Sequence, residues 1–179
     1  IEEVLVASTG VIGVRLPMEK VRAGIAEAGR RISRHAGVDA ARAIMTTDTK
    51  PKEVAVEFPV GDATCVVGGM AKGAGMIAPS MATMLAFFTT DAAVEPALLR
   101  RALVEAVGES LNRITVDGDT STNDCAIVLA SGARPAPAID REGPALEAFR
   151  GALTEAARQL ARMLVRDGEG VTRIAEVRV

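Results

Sequence analysis

The residues that could do chemistry are gathered in one run, Gly68-Gly69-Met70-Ala71-Lys72-Gly73-Ala74-Gly75-Met76-Ile77-Ala78-Pro79-Ser80-Met81-Ala82-Thr83-Met84-Leu85. It sets a glycine-rich turn, one lysine and one threonine between two apolar, strand-like segments. Four glycines fall between positions 68 and 75. They let the backbone take positive φ angles and bring its N–H groups close to a ligand or a reacting carbonyl. Lys72 is the only charge nearby, and Thr83 is a hydroxyl at the start of a strand. The chain has a single histidine, His35, in the basic setting of Arg30, Arg31 and Arg34. A Ser-His-Asp triad would have to be built on His35, and nothing beside it forms a nucleophile elbow. Hydroxyl chemistry without histidine has a known solution, a terminal threonine whose own α-amine accepts the proton. The reference pKa of that amine is about 7.7–8.0, so a useful fraction is neutral near pH 7. Thr83 is internal, so the Ala82–Thr83 bond must first be cut, and the Thr83 hydroxyl can do this by attacking the Ala82 carbonyl. By spacing alone, a threonine that merely opens a strand is the default reading.

Other constellations are less specific. Gly73-Ala74-Gly75-Met76-Ile77-Ala78 fits the G-x-G-x-x-A form of a dinucleotide fingerprint, with Glu95 at a suitable distance. That fingerprint must open a helix, whereas Pro79 and another apolar strand-like run follow here. Lys72 precedes the glycines that a Walker lysine would follow. Asp117, Asp119 and Asp124 lack the offsets of an EF-hand loop and read as a solvated turn. Cys65 and Cys125 lie far apart in apolar runs and read as small buried hydrophobes, not as a metal pair.

The elements that must position these residues follow from periodicity. Ile1 to Ala7 reads as a strand that ends at Ser8-Thr9-Gly10, and Pro17 introduces a helix from about Met18 to His35 with Val21, Ile25, Ala28 and Ile32 as its stripe. Thr46 to Lys52 is a polar loop. Val54, Val56 and Phe58 alternate as a half-buried strand, and Gly61-Asp62 turns into Thr64 to Val67 as its hairpin partner. Met84 to Phe88 is a further strand. Pro96 opens a helix carrying Leu99, Leu103, Ala106 and Val107. Ile114 to Val116 and Cys125 to Ala130 flank the polar loop 117–124. A long helix with Leu146, Phe149, Leu153, Ala157, Leu160 and Leu164 ends near Asp167-Gly168-Glu169-Gly170, and an alternating run from Ile174 to Val179 closes the chain.

Strands in pairs between long single helices point to an α+β fold, layered α/β/β/α, in place of a regular βαβ winding. At 179 residues and 49% hydrophobic, the chain can bury one substantial core. It has no Trp or Tyr and only four Phe, so base-stacking platforms are missing. With a net charge of −2 and interspersed signs, it offers no basic footprint for nucleic acid or anionic membrane. No apolar stretch approaches the roughly 18–20 residues of a membrane helix. No basic-then-apolar leader opens the chain, so a cytoplasmic location is expected. Both ends fall inside strand-like runs, so the sequence reads as a piece of a longer protein.

The run from Gly69 to Leu85 closely resembles the self-cleavage segment of the bifunctional glutamate N-acetyltransferase (ornithine acetyltransferase) family of arginine biosynthesis. Three further segments agree in order: Ser8-Thr9-Gly10-Val11-Ile12-Gly13, Ala43-Ile44-Met45-Thr46-Thr47-Asp48-Thr49, and Asp117-Gly118-Asp119-Thr120-Ser121-Thr122-Asn123-Asp124. The resemblance implies a layered fold like that of this family and of the N-terminal-nucleophile aminopeptidases. Residues 1–179 would form a single catalytic-domain fragment, 1–82 resembling the C-terminal part of an α chain and 83–179 the N-terminal part of a β chain. It also implies ping-pong transfer of acetyl from N-acetylornithine to glutamate through an acyl-threonine on Thr83, without a cofactor or metal, leaving acetyl-CoA open as a co-substrate. Thr9 and Gly10 match the oxyanion-hole pair. Thr46, taken in preference to Thr47, matches a substrate contact, as do Lys72, Thr83 and Glu169, and Ala82–Thr83 is the bond cut. The α and β chains would remain together, as two of each. An aminopeptidase-like hydrolase of related architecture uses Ser where Thr83 stands, and a non-enzymatic small-molecule-binding domain is the reading that remains if Thr83 never becomes a terminus.

Overall fold

The computed structural model describes residues 4–78 and 84–177. Thr83, Ala82 and the rest of 79–83 lie outside the described residues. The centre of the fold is a four-stranded sheet in the order β1 (Lys52–Val60), β2 (Ala63–Lys72), β3 (Leu85–Thr90) and β4 (Cys125–Ala130). The first two pairs are antiparallel, and β3 runs parallel to β4. The expected hairpin is present: Val60 pairs with Ala63 across Gly61-Asp62, and Gly61 takes a φ of +60°.

Alternation decides which face is covered. Phe58, Val60, Cys65, Val67, Ala86 and Phe88 point to one side and are buried under α3 (Pro96–Gly108) and α4 (Pro144–Arg166). The α4 stripe read from the sequence is the buried one, with Leu146, Phe149, Leu153, Ala157, Leu160 and Leu164 all inaccessible. Phe149 meets Phe58 with ring centroids 5.6 Å apart. Pro96 stands at the first position of α3, and the Glu95 carboxylate accepts from Leu98 N–H as its cap.

Gly69 lets this sheet and helix approach. A Cβ there would meet Phe88 at 3.0 Å and both Leu160 and Val54 at 3.1 Å. Gly69→Ala is therefore expected to overpack the core and cost about 1–3 kcal/mol. Thermal unfolding of the full-length variant checks this.

On the opposite sheet face β2 to β4 present apolar residues that lie outside the core, while β1 presents the exposed Glu53 and Glu57. Met70, Phe87 and Ile127 form one cross-strand row there and are only half-buried, while Leu129, opposite Thr89, is 55% exposed. One sheet and one helical layer are thus in place, half of the layering expected from the sequence.

Several expected elements differ. Described residues 4–7 and 174–177 form no strand. A strand is defined by a partner ladder, and neither of these segments has one among the described residues. The first helix, α1 (Met18–Arg30), stops short of His35 and buries none of its residues. A second helix, α2 (Gly37–Ala43), occupies a stretch for which no element was expected. Among the described residues no helix is long and apolar enough to cross a membrane.

Candidate active site

The site is assembled at the end of the sheet where β2 runs out into the glycine turn and β3 and β4 begin. Lys72 is the last residue of β2 and is 2% exposed. Its Nζ donates to Thr46 Oγ1 at 3.3 Å, the single hydrogen bond it makes among the described residues. An ammonium has three donors, so a buried one with a lone hydroxyl acceptor is under-satisfied. Burial pushes the Lys72 pKa down, and the carboxylates of Asp48 and Asp124 partly oppose this.

Thr46 is placed by Asp48. The Asp48 carboxylate accepts from Thr46 N–H at 3.2 Å, from Gly73 N–H at 2.7 Å and from Lys52 Nζ at 2.6 Å. Lys52 is as deeply buried as Lys72 and also binds Asp167 at 2.7 Å. Asp167, at the end of α4, accepts in addition from both the backbone N–H and the hydroxyl of Thr49. Burial alone would raise both carboxyl pKa values. The Gly73, Lys52 and Thr46 donors outweigh it at Asp48, and Lys52 with Thr49 hold Asp167 down to about 2. The sequence places Lys52 in a polar loop. It is instead the cation of a buried triad that ties the loop after α2, the end of β2 and the end of α4 together.

Glu169 follows that triad. Its backbone N–H donates to Ala74 O at 2.6 Å, and its carboxylate lies 3.0–3.1 Å from where a Gly75 Cβ would stand. Gly75 is thus a close approach, and any larger residue would displace Glu169. Thr46, Lys72 and Glu169 are accordingly all held around the glycine turn. Thr9 and Gly10 stand in the irregular segment before α1, and no hydrogen bond joins them to that group among the described residues.

The aspartate loop is largely exposed, as the sequence suggests, yet two of its carboxylates are engaged by distant backbone. Asp117 accepts from Met76 N–H at 2.6 Å and from Ile77 N–H at 2.9 Å, a clasp on a turn where Met76 takes a φ of 56°. Asp124 accepts from Met84 N–H at 2.8 Å. One loop therefore grips the chain on both sides of positions 79–83. The signal for these residues was present, since backbone N–H groups freed at a strand end need acceptors. Nothing local in the sequence says that the acceptors come from some 40 residues downstream.

The family model described as "ArgJ family" matches residues 1–179. The chain is 56% identical to the arginine biosynthesis bifunctional protein ArgJ of Symbiobacterium thermophilum over 97% of its length, and 52% identical to that of a Synechococcus strain over 99%. It spans 43% of the length of each of these relatives. Among solved structures, the Bacillus halodurans arginine biosynthesis bifunctional protein argJ is 46% identical, with a TM-score of 0.47 over 49% of this chain and 41% of that one. The chain belongs to the ArgJ family.

Proposed function

We propose that the full-length protein is a self-processing acetyltransferase that moves acetyl from N-acetylornithine to glutamate through Thr83. The observation that carries this reading is the buried, under-satisfied Lys72 ammonium beside Thr46, at the mouth of the turn that leads to Ala82–Thr83. Both substrates are amino acids, and a desolvated ammonium with free donors suits an α-carboxylate. Glu169 would face the cationic amine of such a substrate, and Thr9 with Gly10 would supply the oxyanion donors, each worth about 10²–10³ in rate.

Processing starts when Thr83 Oγ attacks the Ala82 carbonyl and the C–N bond breaks, which frees the α-amine and leaves an ester that water then hydrolyses to the Ala82 carboxylate and the Thr83 hydroxyl. In transfer, Thr83 Oγ attacks the acetyl carbonyl and its proton passes to that amine. The amine returns the proton to ornithine nitrogen as the C–N bond breaks. Glutamate nitrogen then attacks the acetyl-threonine and loses a proton to the same amine, which passes it to Thr83 Oγ as the O–acetyl bond breaks and N-acetylglutamate leaves. No cofactor enters this cycle, and acetyl-CoA is the alternative donor to be tested against N-acetylornithine.

The cut need not separate the two chains. It falls in the connection between β2 and β3, which are paired from Val67↔Thr90 to Lys72↔Leu85, so the ladder would hold the α and β chains in one sheet. We assign the open row Met70, Phe87 and Ile127 to the face on which the second sheet of an α/β/β/α sandwich packs, supplied by the remainder of the protein. Two chains of each kind would complete the assembly.

The test uses the full-length protein. Intact mass is expected to show two chains, one beginning at Thr83, and labelled acetyl is expected to exchange between ornithine and glutamate. An unsplit, inactive chain would overturn the reading.

A further inference from the structure

Gly75 is a glycine for a reason that its own backbone does not supply. Its φ lies outside the left-handed region, so alanine could take the same conformation. The three atoms nearest to where a Cβ would stand all belong to the Glu169 carboxylate, Cδ at 3.0 Å and Oε1 and Oε2 at 3.1 Å. The missing side chain makes room for one group, and that group is a carboxylate laid face-on against the turn.

The rest of the structure fixes Glu169 in this seat. Asp167, two residues earlier, is locked to Lys52 and Thr49, and Glu169 N–H donates to Ala74 O at 2.6 Å. The carboxylate so delivered makes no hydrogen bond or ion pair among the described residues, and Glu169 is exposed. A negative charge held this closely, with no partner in the fold, is free to meet a cation from outside. Lys72 ends β2 three residues before Gly75, and apart from burial the charges that act on it are the carboxylates of Asp48 and Asp124. Glu169 is not among them. The glycine turn therefore carries a cationic and an anionic pole that do not neutralise each other.

On the function proposed above, Lys72 takes the α-carboxylate that both substrates share. The α-nitrogen of N-acetylornithine is acylated and uncharged, so its one cation is the side-chain ammonium, whereas the side chain of glutamate ends in a carboxylate. An anionic pole set apart from Lys72 thus distinguishes donor from acceptor. We propose that Gly75 is a positioning residue for donor selection: by lacking a side chain it seats the Glu169 carboxylate where it pairs with the side-chain ammonium of the donor. This rests on the function proposed above.

In the full-length protein, Gly75→Ala is expected to fold and self-cleave, because the added methyl meets the far end of an exposed, flexible side chain, which moves aside. Its kcat/KM for N-acetylornithine is expected to fall roughly tenfold, the scale of a charge-assisted hydrogen bond, while kcat/KM for glutamate stays within about threefold of wild type. Glu169→Gln is expected to show the same split. The double variant should lose no more than about twofold beyond Glu169→Gln, since both changes remove one interaction. N-acetylnorvaline, with the donor's carbon chain but no ammonium, is expected to react equally well with wild type and Gly75→Ala, whereas a merely structural role would impair both donors alike. Equal losses on both substrates, an unchanged donor, or multiplied losses in the double variant overturn the proposal. If Gly75→Ala does not fold or is not cut, Glu169→Asp decides, because it keeps the charge, shortens the reach and leaves the turn untouched. A donor-selective fall there supports the assignment, and an even or absent one overturns it. Wild type that neither cuts at Thr83 nor exchanges acetyl is a different result, which removes the underlying reading.

Discussion

In the full-length protein, Thr83→Ala is expected to leave one uncut polypeptide and to lower acetyl exchange by about 10⁶-fold, the scale on which losing a covalent nucleophile costs a hydrolase. One oxygen atom serves both reactions. In the precursor it must attack the Ala82 carbonyl to make the ester, and in the mature protein it must attack the acetyl carbonyl. Alanine keeps the backbone and Cβ but supplies neither attack. The variant is expected to fold, because the β2–β3 ladder and the carboxylates that grip Met76, Ile77 and Met84 do not involve the Thr83 side chain. Thermal unfolding close to wild type would therefore accompany the double loss. Thr83→Ser restores an oxygen and is expected to recover both cutting and exchange, at reduced rate. Exchange retained in Thr83→Ala would remove Thr83 from the mechanism, whatever the state of the chain.

What could be read from the sequence depended on how local each signal was. The α4 stripe and the Val60–Ala63 hairpin are written in neighbouring residues, by a helical repeat and a two-residue turn, and both are found where expected. Thr46, Lys72 and Glu169 were named through a family resemblance, yet nothing local showed that they share one end of the sheet. The residues that hold them there were missed for the same reason. Lys52 sits between polar residues in the chain, and its burial is caused by Asp48 and by Asp167, over a hundred residues away. Asp117 and Asp124 read as a solvated turn because composition cannot reveal which distant N–H groups a carboxylate will meet. Helix α2 has seven residues, too few to display a periodic face. The strand expected at residues 1–7 had the right composition for a strand. Its apolar side chains specify burial, but pairing requires a neighbouring ladder, which composition does not encode.

The buried triad carries the second large effect, and Asp48→Ala exposes it. The Asp48 side chain is wholly buried and Lys52 nearly so. Removing the carboxylate leaves Lys52 with Asp167 as its sole remaining carboxylate and strips the Gly73 and Thr46 N–H groups of their acceptor. Breaking a buried pair from one side costs about 3–5 kcal/mol, because the remaining charge stays desolvated. For a protein of this size or larger that is a fall in Tm of roughly 10 °C. The sign of the pH dependence separates this from simple loss of packing. Asp48 and Asp167 both have folded pKa values below their ordinary range, Asp167 at about 2. Their contribution is complete above the unfolded value of about 3.9 and is lost as pH falls through the folded values. The stability gap between wild type and Asp48→Ala is therefore expected to be constant from pH 7 to 5 and to narrow as the pH falls below about 4. Denaturant unfolding across that range measures it. A gap that stays constant into acid would assign the loss to packing. The same variant frees the Thr46 loop and the backbone next to Lys72, so the two groups proposed to bind a substrate carboxylate lose their common anchor. Any activity that survives at low temperature should accordingly show a raised KM for both amino-acid substrates, with kcat less affected, since the proposed cycle gives Asp48 no proton or bond to carry.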